Sequence, residues 1–133
     1  MRLPWLLDTN IAIHASEGHA RVLQNLAEHD GSMLLSALCL VELYRGFHRD
    51  PVHARPREAR IELLTRRIPV IPFDTEAAEC YSRIIGACGW NRARDFDRMI
   101  AAHAQSTGSV LVTDNLLDFR DIPGLKLENW TAA

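Results

Sequence analysis

LLDTNIAIH, residues 6–14, runs two leucines straight into a carboxylate and then into a helical apolar pattern. Leu3 to Leu7 has the length and composition of a buried strand, and Asn10 to Ala15 has the spacing of a helix. Asp8 stands at the joint. The same arrangement returns far along the chain, where Ser109 to Val112 reads as a strand and stops at Thr113-Asp114-Asn115. Between these, strands are predicted at Met33–Leu35 and Ile68–Ile71, with a last one at Leu125–Leu127. Helices are predicted over Ala20–His29, from the N-cap Ser36 to about His48, over Arg57–Arg66 after Pro51 and Pro56, from Asp74-Thr75-Glu76 to about Ala87, and over Arg94–Ser106 before Gly108. Short apolar strands alternating with helices specify a parallel sheet covered on both faces. Such sheets bind ligands at the carboxyl ends of their strands, where Asp8 and Asp114 both stand.

A chain of 133 residues, 47% hydrophobic and 24% charged, suits one domain over 1–133 with a real core. No apolar run approaches a membrane span, and MRLPW (1–5) lacks the apolar core of a leader, so a cytoplasmic location is expected. Cys39, Cys80 and Cys88 are odd in number with no C-x-x-C, which supports neither a disulfide framework nor a thiolate zinc site; they read as small core residues. The net charge of −2 argues against a constitutive nucleic-acid clamp. The charge is uneven, however. Seven arginines lie between Arg45 and Arg67 against Asp50, Glu58 and Glu62, and Arg92, Arg94 and Arg98 form a second cluster. Basic flanks of this kind either steer a polyanion toward an acidic site or coat a solvated helix or partner surface.

Two readings of Asp8 are compatible. Asp8, Thr9 or Asn10 caps the following helix, and the Asp8 carboxylate faces the cleft. In RDFDRMIAAHA (94–104), Asp97 shares a helical face with Ile100, Ala101 and Ala104, while Asp95 lies about 160° round and points outward. A carboxylate on an inward face is costly unless it is paired or holds a metal; otherwise Asp97 serves the helix dipole. Glu42 lies off the stripe of Leu40, Leu43, Tyr44 and Phe47, and alone it reads as a surface glutamate. Gly46 beside it leaves room for an approaching group. Tyr44 and Phe47 read as core, or as the seat of an amphipathic partner helix. His103, about 120° from Asp97, reads as structural. Should Asp8, Glu42, Asp97 and one of Asp114 or Asp118 converge, each pair at about 4 Å repels by about 4 kcal/mol at an effective dielectric of about 20. Such a cluster traps protons or a hard cation, and oxygen ligands select Mg²⁺ or Mn²⁺. A divalent ion held there turns water into a nucleophile and stabilises a phosphoryl transition state.

Five stretches together resemble the PIN-domain ribonucleases, specifically the VapC-type toxins of bacterial type II toxin–antitoxin pairs. They are LLDTNIAIH (6–14), LSALCLVELYRGF (35–47), IPVIPFDTEAA (68–78), FDRMIAAHA (96–104) and LVTDNLLDFRDIPGLKLENW (111–130). The resemblance implies a three-layer α/β/α sandwich with a five-stranded parallel sheet. It implies Mg²⁺- or Mn²⁺-dependent endonucleolytic cleavage of RNA, neutralised by a cognate antitoxin, with a homodimer and a toxin–antitoxin hetero-oligomer as the expected assemblies. Asp8, the glutamate of E-L-Y-x-G at Glu42, the aspartate of D-x-x-I-A-A-H-A at Asp97, and Thr113 match the family pattern. The fourth acid is Asp114, narrowly ahead of Asp118. Asp8 and Asp97 are the expected metal ligands, Glu42 orients or deprotonates the water or shares the metal, and Thr9, Asn10, Thr113, Asn115 and Asp118 support them. Arg45, Arg49, Arg94 and Arg98 are candidates for the RNA backbone. Arg92, Arg94 and Asp95 depart from the pattern. The alternatives are a catalytically inactive PIN-fold RNA-binding module and a phosphatase of another α/β class. A dehalogenase-type phosphatase needs an acid at position 10, which is Asn10. A receiver domain needs a lysine after a later strand, whereas Lys126 is the only lysine.

Overall fold

Leu6 and Leu7 are both wholly buried, in two different apolar clusters, because successive side chains of a strand point to opposite faces. They belong to β1 (Trp5–Leu7), the middle strand of the sheet. The computed structural model describes residues 3–132; Met1 and Arg2, part of the stretch read as no leader, and Ala133 lie outside the described residues. β1 pairs in parallel with β2 (Met33–Ser36) on one side and β4 (Val110–Val112) on the other. β3 (Val70–Ile71) and β5 (Leu127–Glu128) complete the order β3-β2-β1-β4-β5, every pair parallel. The chain first builds outward from β1 to β3 and then returns to the other side of β1. The two directions diverge between β1 and β4, which makes the carboxyl ends of these two strands the topological switch point.

Among the described residues six α-helices cover the sheet: α1 (Thr9–Ser16), α2 (Ala20–Glu28), α3 (Ala37–Arg49), α4 (Ala54–Arg67), α5 (Thr75–Cys88) and α6 (Asp95–Ser106). Ile11, Ala12 and Val22 from α1 and α2 meet Leu7, Leu35 and Val112 on one face. Ile84 from α5 and Ile100, Ala101 and Ala104 from α6 meet Leu6 and Leu111 on the other. Each fully buried leucine contributes about 1.5–3 kcal/mol, so a sheet only two to four residues deep is stable because both faces are covered. Leu43 and Phe47 of α3 are buried against Ile61 of α4. The apolar stripe of α3 divides there: Phe47 is core, while Tyr44 is 52% exposed.

The helix starts follow the sequence closely. Ser36 accepts a hydrogen bond from the Leu38 amide at 3.1 Å, and Asp74 accepts one from the Ala77 amide at 2.9 Å. Four boundaries differ from expectation by two residues or more. β3 starts at Val70 instead of Ile68, whose amide still bonds the Leu64 carbonyl at the end of α4. α4 begins at Ala54, with Pro56 inside its first turn, because a proline there surrenders no helical hydrogen bond. β1 begins at Trp5, after Pro4 has lent its carbonyl to the Val110 amide. β5 is displaced to Leu127–Glu128, where the Thr113 amide bonds the Glu128 carbonyl. Among the described residues no helix is long and apolar enough to cross a membrane.

Candidate active site

Asp8 leaves β1 at the switch point. Its amide bonds the Val112 carbonyl of β4 at 2.9 Å, and its Oδ1 accepts from the Ile11 amide at 2.9 Å. The acid therefore does cap α1. Capping alone would lower its pKa, since a hydrogen bond to the ionised form favours that form. Instead the Asp8 carboxyl is pushed from 3.8 up to about 6. Burial is the main cause, and Asp114 and Asp97 add repulsion; the Thr113 hydroxyl and the Ile11 amide offset only part of it. Asp8 is 8% exposed, so little water screens that charge.

Asp97 shows the same conflict from the other side. It sits in the first turn of α6, where the helix dipole favours a negative charge. Its carboxyl is nevertheless raised to about 6, first by burial and then by Asp118 and Glu42, with Arg94 pulling the opposite way. Glu42 is half-buried and accepts a hydrogen bond from the Thr9 hydroxyl, which ties α3 to the first turn of α1. Beneath them Cys39 is wholly buried and donates to the Leu7 carbonyl at 3.6 Å. Burial, with Asp8 and Glu42 alongside, holds its thiol protonated up to about 12, so it is packing and not a nucleophile.

The loop after β4 supplies the remaining acids. Thr113 is wholly buried and its Oγ1 accepts from the Asn115 amide at 3.0 Å. Asp114 is held by two α1 side chains one turn apart, Asn10 Nδ2 at 3.4 Å and His14 Nε2 at 3.1 Å. Asn115 Nδ2 donates to Asp118. The two contenders for the fourth acid thus divide the cluster, Asp114 acting on Asp8 and Asp118 on Asp97. His14 escapes the sequence reading; its position one turn beyond Asn10 is the available signal. Among the described residues no three His, Cys, Asp or Glu side chains close into a ready metal cage. The acids repel one another without being drawn to ligand spacing.

The arginines separate into three kinds. Arg94 touches the site, lowering the Asp97 pKa and donating to the Asp118 carbonyl at 3.5 Å. Arg45 is exposed and stacks over the Phe96 ring at 5.7 Å, and Arg49 lines a cleft beside Glu42. Arg98 corrects the expectation of an RNA-facing cation: it is 4% exposed and paired with Asp121 at 3.2 Å. Its place on α6, one residue past Asp97, turns it into the packing between that helix and the loop. Asp95 is also less outward than its spacing suggests, because it accepts a hydrogen bond from Tyr81 of α5. His103 is structural, 1% exposed, with Nδ1 2.7 Å from the Ser36 hydroxyl.

Residues 5–125 match the family model of the PIN domain. The tRNA(fMet)-specific endonuclease VapC of Shigella flexneri is 34% identical over 132 residues, covering 97% of this chain and 99% of that one. The structure of DNA-bound VapBC from Salmonella typhimurium includes a chain 30% identical, with a TM-score of 0.84 over 97% of this chain and 99% of its own. VapBC2 from Rickettsia felis, bound to a DNA fragment from the promoter, matches at 26% identity with a TM-score of 0.84, covering 96% and 99%.

Proposed function

The chain belongs to the PIN-domain family, and on that premise we propose that it is a metal-dependent endoribonuclease toxin. The observation that carries the reading is the pair Asp8 and Asp97, two acids on different elements whose carboxyls are both pushed to about 6 by burial and by neighbouring acids. Capping and the helix dipole explain an acid at each place but not the burial and repulsion that raise both carboxyls; a bound cation or a shared proton would offset these. The relatives are named as ribonucleases and endonucleases.

The donor set is oxygen only, which fits Mg²⁺ or Mn²⁺. The open spacing fits an ion that keeps most of its waters and takes one or two carboxylates. Asp8 and Asp97 would hold it. When bound, it supplies a positive charge that activates water and offsets the negative charge developing on phosphate. Glu42 accepts from Thr9, which leaves its carboxylate oriented to take a proton from the attacking water. Asn10 and His14 fix Asp114 beside Asp8, while Asn115 and Arg94 fix the Asp118 side of the loop. Exposed Arg45 and Arg49 hold the RNA backbone. A dehalogenase-type phosphatase is disfavoured because Asn10, in the position its second acid requires, is engaged with Asp114.

The likeness to chains of VapBC complexes supports a cognate antitoxin as the partner, in a toxin–antitoxin hetero-oligomer; a dimeric toxin and a cytoplasmic site of action belong to the same proposal. The deciding experiment is cleavage of an RNA pool with and without Mn²⁺ by wild type and by Asp8→Asn. Metal-dependent cutting that the variant lacks is expected. Phosphate release from small phosphoesters, or tight RNA binding without cutting, would overturn it.

A further inference from the structure

A cleft of about 370 Å³ lies between α1, α3 and α4, and one end of it reaches Glu42 and Thr9. Along α3 it follows Glu42, Gly46 and Arg49, which at spacings of four and seven residues share one helical face. Gly46 keeps the cleft open. A Cβ built there meets nothing within 4 Å, so no neighbour demands glycine. Glycine inside a helix is less stable than alanine. The helix thus carries a weakening residue whose effect is an empty space one turn from a site acid.

The walls and rim of that space have different characters. Ile13 from α1, over a floor of buried Leu43, Phe47 and Ile61, makes it apolar, and Arg49, Arg57 and Arg60 line it with positive charge that outnumbers Glu17 and Glu42. Arg57 is already paired with Asp50 at 3.1 Å, whereas Arg49 and Arg60 have no ion-pair partner among the described residues. An apolar slot with unpaired cations, opening onto a phosphodiesterase site, matches a nucleotide: a flat base for the slot and a phosphate for the arginines. The volume is on the scale of small-ligand sites.

We propose that this cleft seats the nucleotide next to the scissile phosphodiester, with the base against Ile13 over the apolar floor and the adjoining phosphate on Arg49 and Arg60. The inference rests on the nuclease reading and extends it: this contact selects the RNA sequence at that position. Gly46→Met fills the slot, and Arg49→Ala/Arg60→Ala removes the phosphate contacts. In Mn²⁺, Gly46→Met is expected to raise KM for a cleavable RNA oligonucleotide about tenfold, and the double arginine variant, which removes two charge-assisted contacts, about a hundredfold with kcat within about twofold. Independently, 5′-AMP, -UMP, -GMP and -CMP are titrated into the metal-free protein and followed by amide NMR. Shifts at Ile13, Gly46 and Ile61 that disappear in Gly46→Met, and that inorganic phosphate alone does not reproduce, support the cleft. Unchanged KM in both variants, or nucleotide shifts that persist in Gly46→Met, overturn it while leaving the nuclease reading intact. Absence of any RNA cutting by wild type, with nucleotide shifts present, sinks the nuclease reading and not the cleft. Unchanged KM with lost neutralisation by the antitoxin assigns the cleft to that partner and overturns the proposal.

Discussion

Asp8-Thr9 and Asp74-Thr75 open two helices with the same dipeptide and the same hydrogen bond, Oδ1 accepting at 2.9 Å from the amide three residues on. Their surroundings differ completely. Asp8 lies between the central strands, 8% exposed, facing Asp97 and Asp114. Asp74 is exposed beside the edge strand β3, and the titratable group it acts on is His103, whose pKa it raises. One aspartate is surrounded by rivals and the other by a base. Identical local chemistry therefore joins a buried cluster of acids in one place and remains a solvated helix cap in the other, and the sheet position decides which.

The largest effect expected from this contrast is on catalysis. Asp8→Asn keeps a capping oxygen but removes the charge, and RNA cleavage is expected to fall by about two orders of magnitude or more. Asp74→Asn is expected to leave cleavage within about twofold, since asparagine caps as well as aspartate does. Equal losses in a metal-dependent cleavage assay would abolish the distinction. The same Asp8 variant is expected to melt higher than wild type in EDTA. A folded-state pKa of about 6 against 3.8 unfolded means the folded chain binds the proton more tightly. Stability is then lost as pH rises from about 4 to about 6, by about 3 kcal/mol at most. Urea titrations across that window should show a flatter pH dependence for Asp8→Asn.

His14→Gln tests the acids around Asp8 one step out. It weakens the hold on Asp114, and a loss of about tenfold in cleavage with unchanged melting is expected, the scale seen when a ligand's supporting partner is removed. Asp74→Ala should cost about 1 kcal/mol in thermal or urea unfolding, the ordinary value of an N-cap, with cleavage unaffected. The smallest effect concerns the base beside Asp74. Burial lowers the His103 pKa below 6.5, so the unfolded chain takes up that proton first and stability falls as pH drops below 6.5. His103→Gln should remove this slope, which runs opposite to that of Asp8; urea midpoints between about pH 5 and pH 7 would show it.

Much of the site is legible in the residues alone. Asp8 follows from a strand ending in an acid, and Asp97 from a carboxylate on an apolar helical face, because both rest on period and polarity. Glu42 is legible only through family resemblance; by spacing alone it reads as solvated, since nothing in α3 announces that the Thr9 hydroxyl will meet it. Arg98 misleads for the same reason. Its neighbours in sequence place it near the site, but its ion pair with Asp121 lies 23 residues away. Asp95 and Tyr81 likewise meet only where α5 packs on α6.

Local sequence determined which segments are strands and helices, that Ser36 and Asp74 cap α3 and α5, and that Asp8 and Asp114 stand at the carboxyl edge of a parallel sheet. Those outcomes depend on backbone geometry and on apolar periodicity, which act over a few residues. Tertiary structure decided which of two equivalent aspartates is electrostatically frustrated, which arginine is buried, and that Gly46 opens a cleft instead of merely weakening a helix. Burial and repulsion depend on the groups that arrive from distant parts of the chain, and no run of neighbouring residues carries that information.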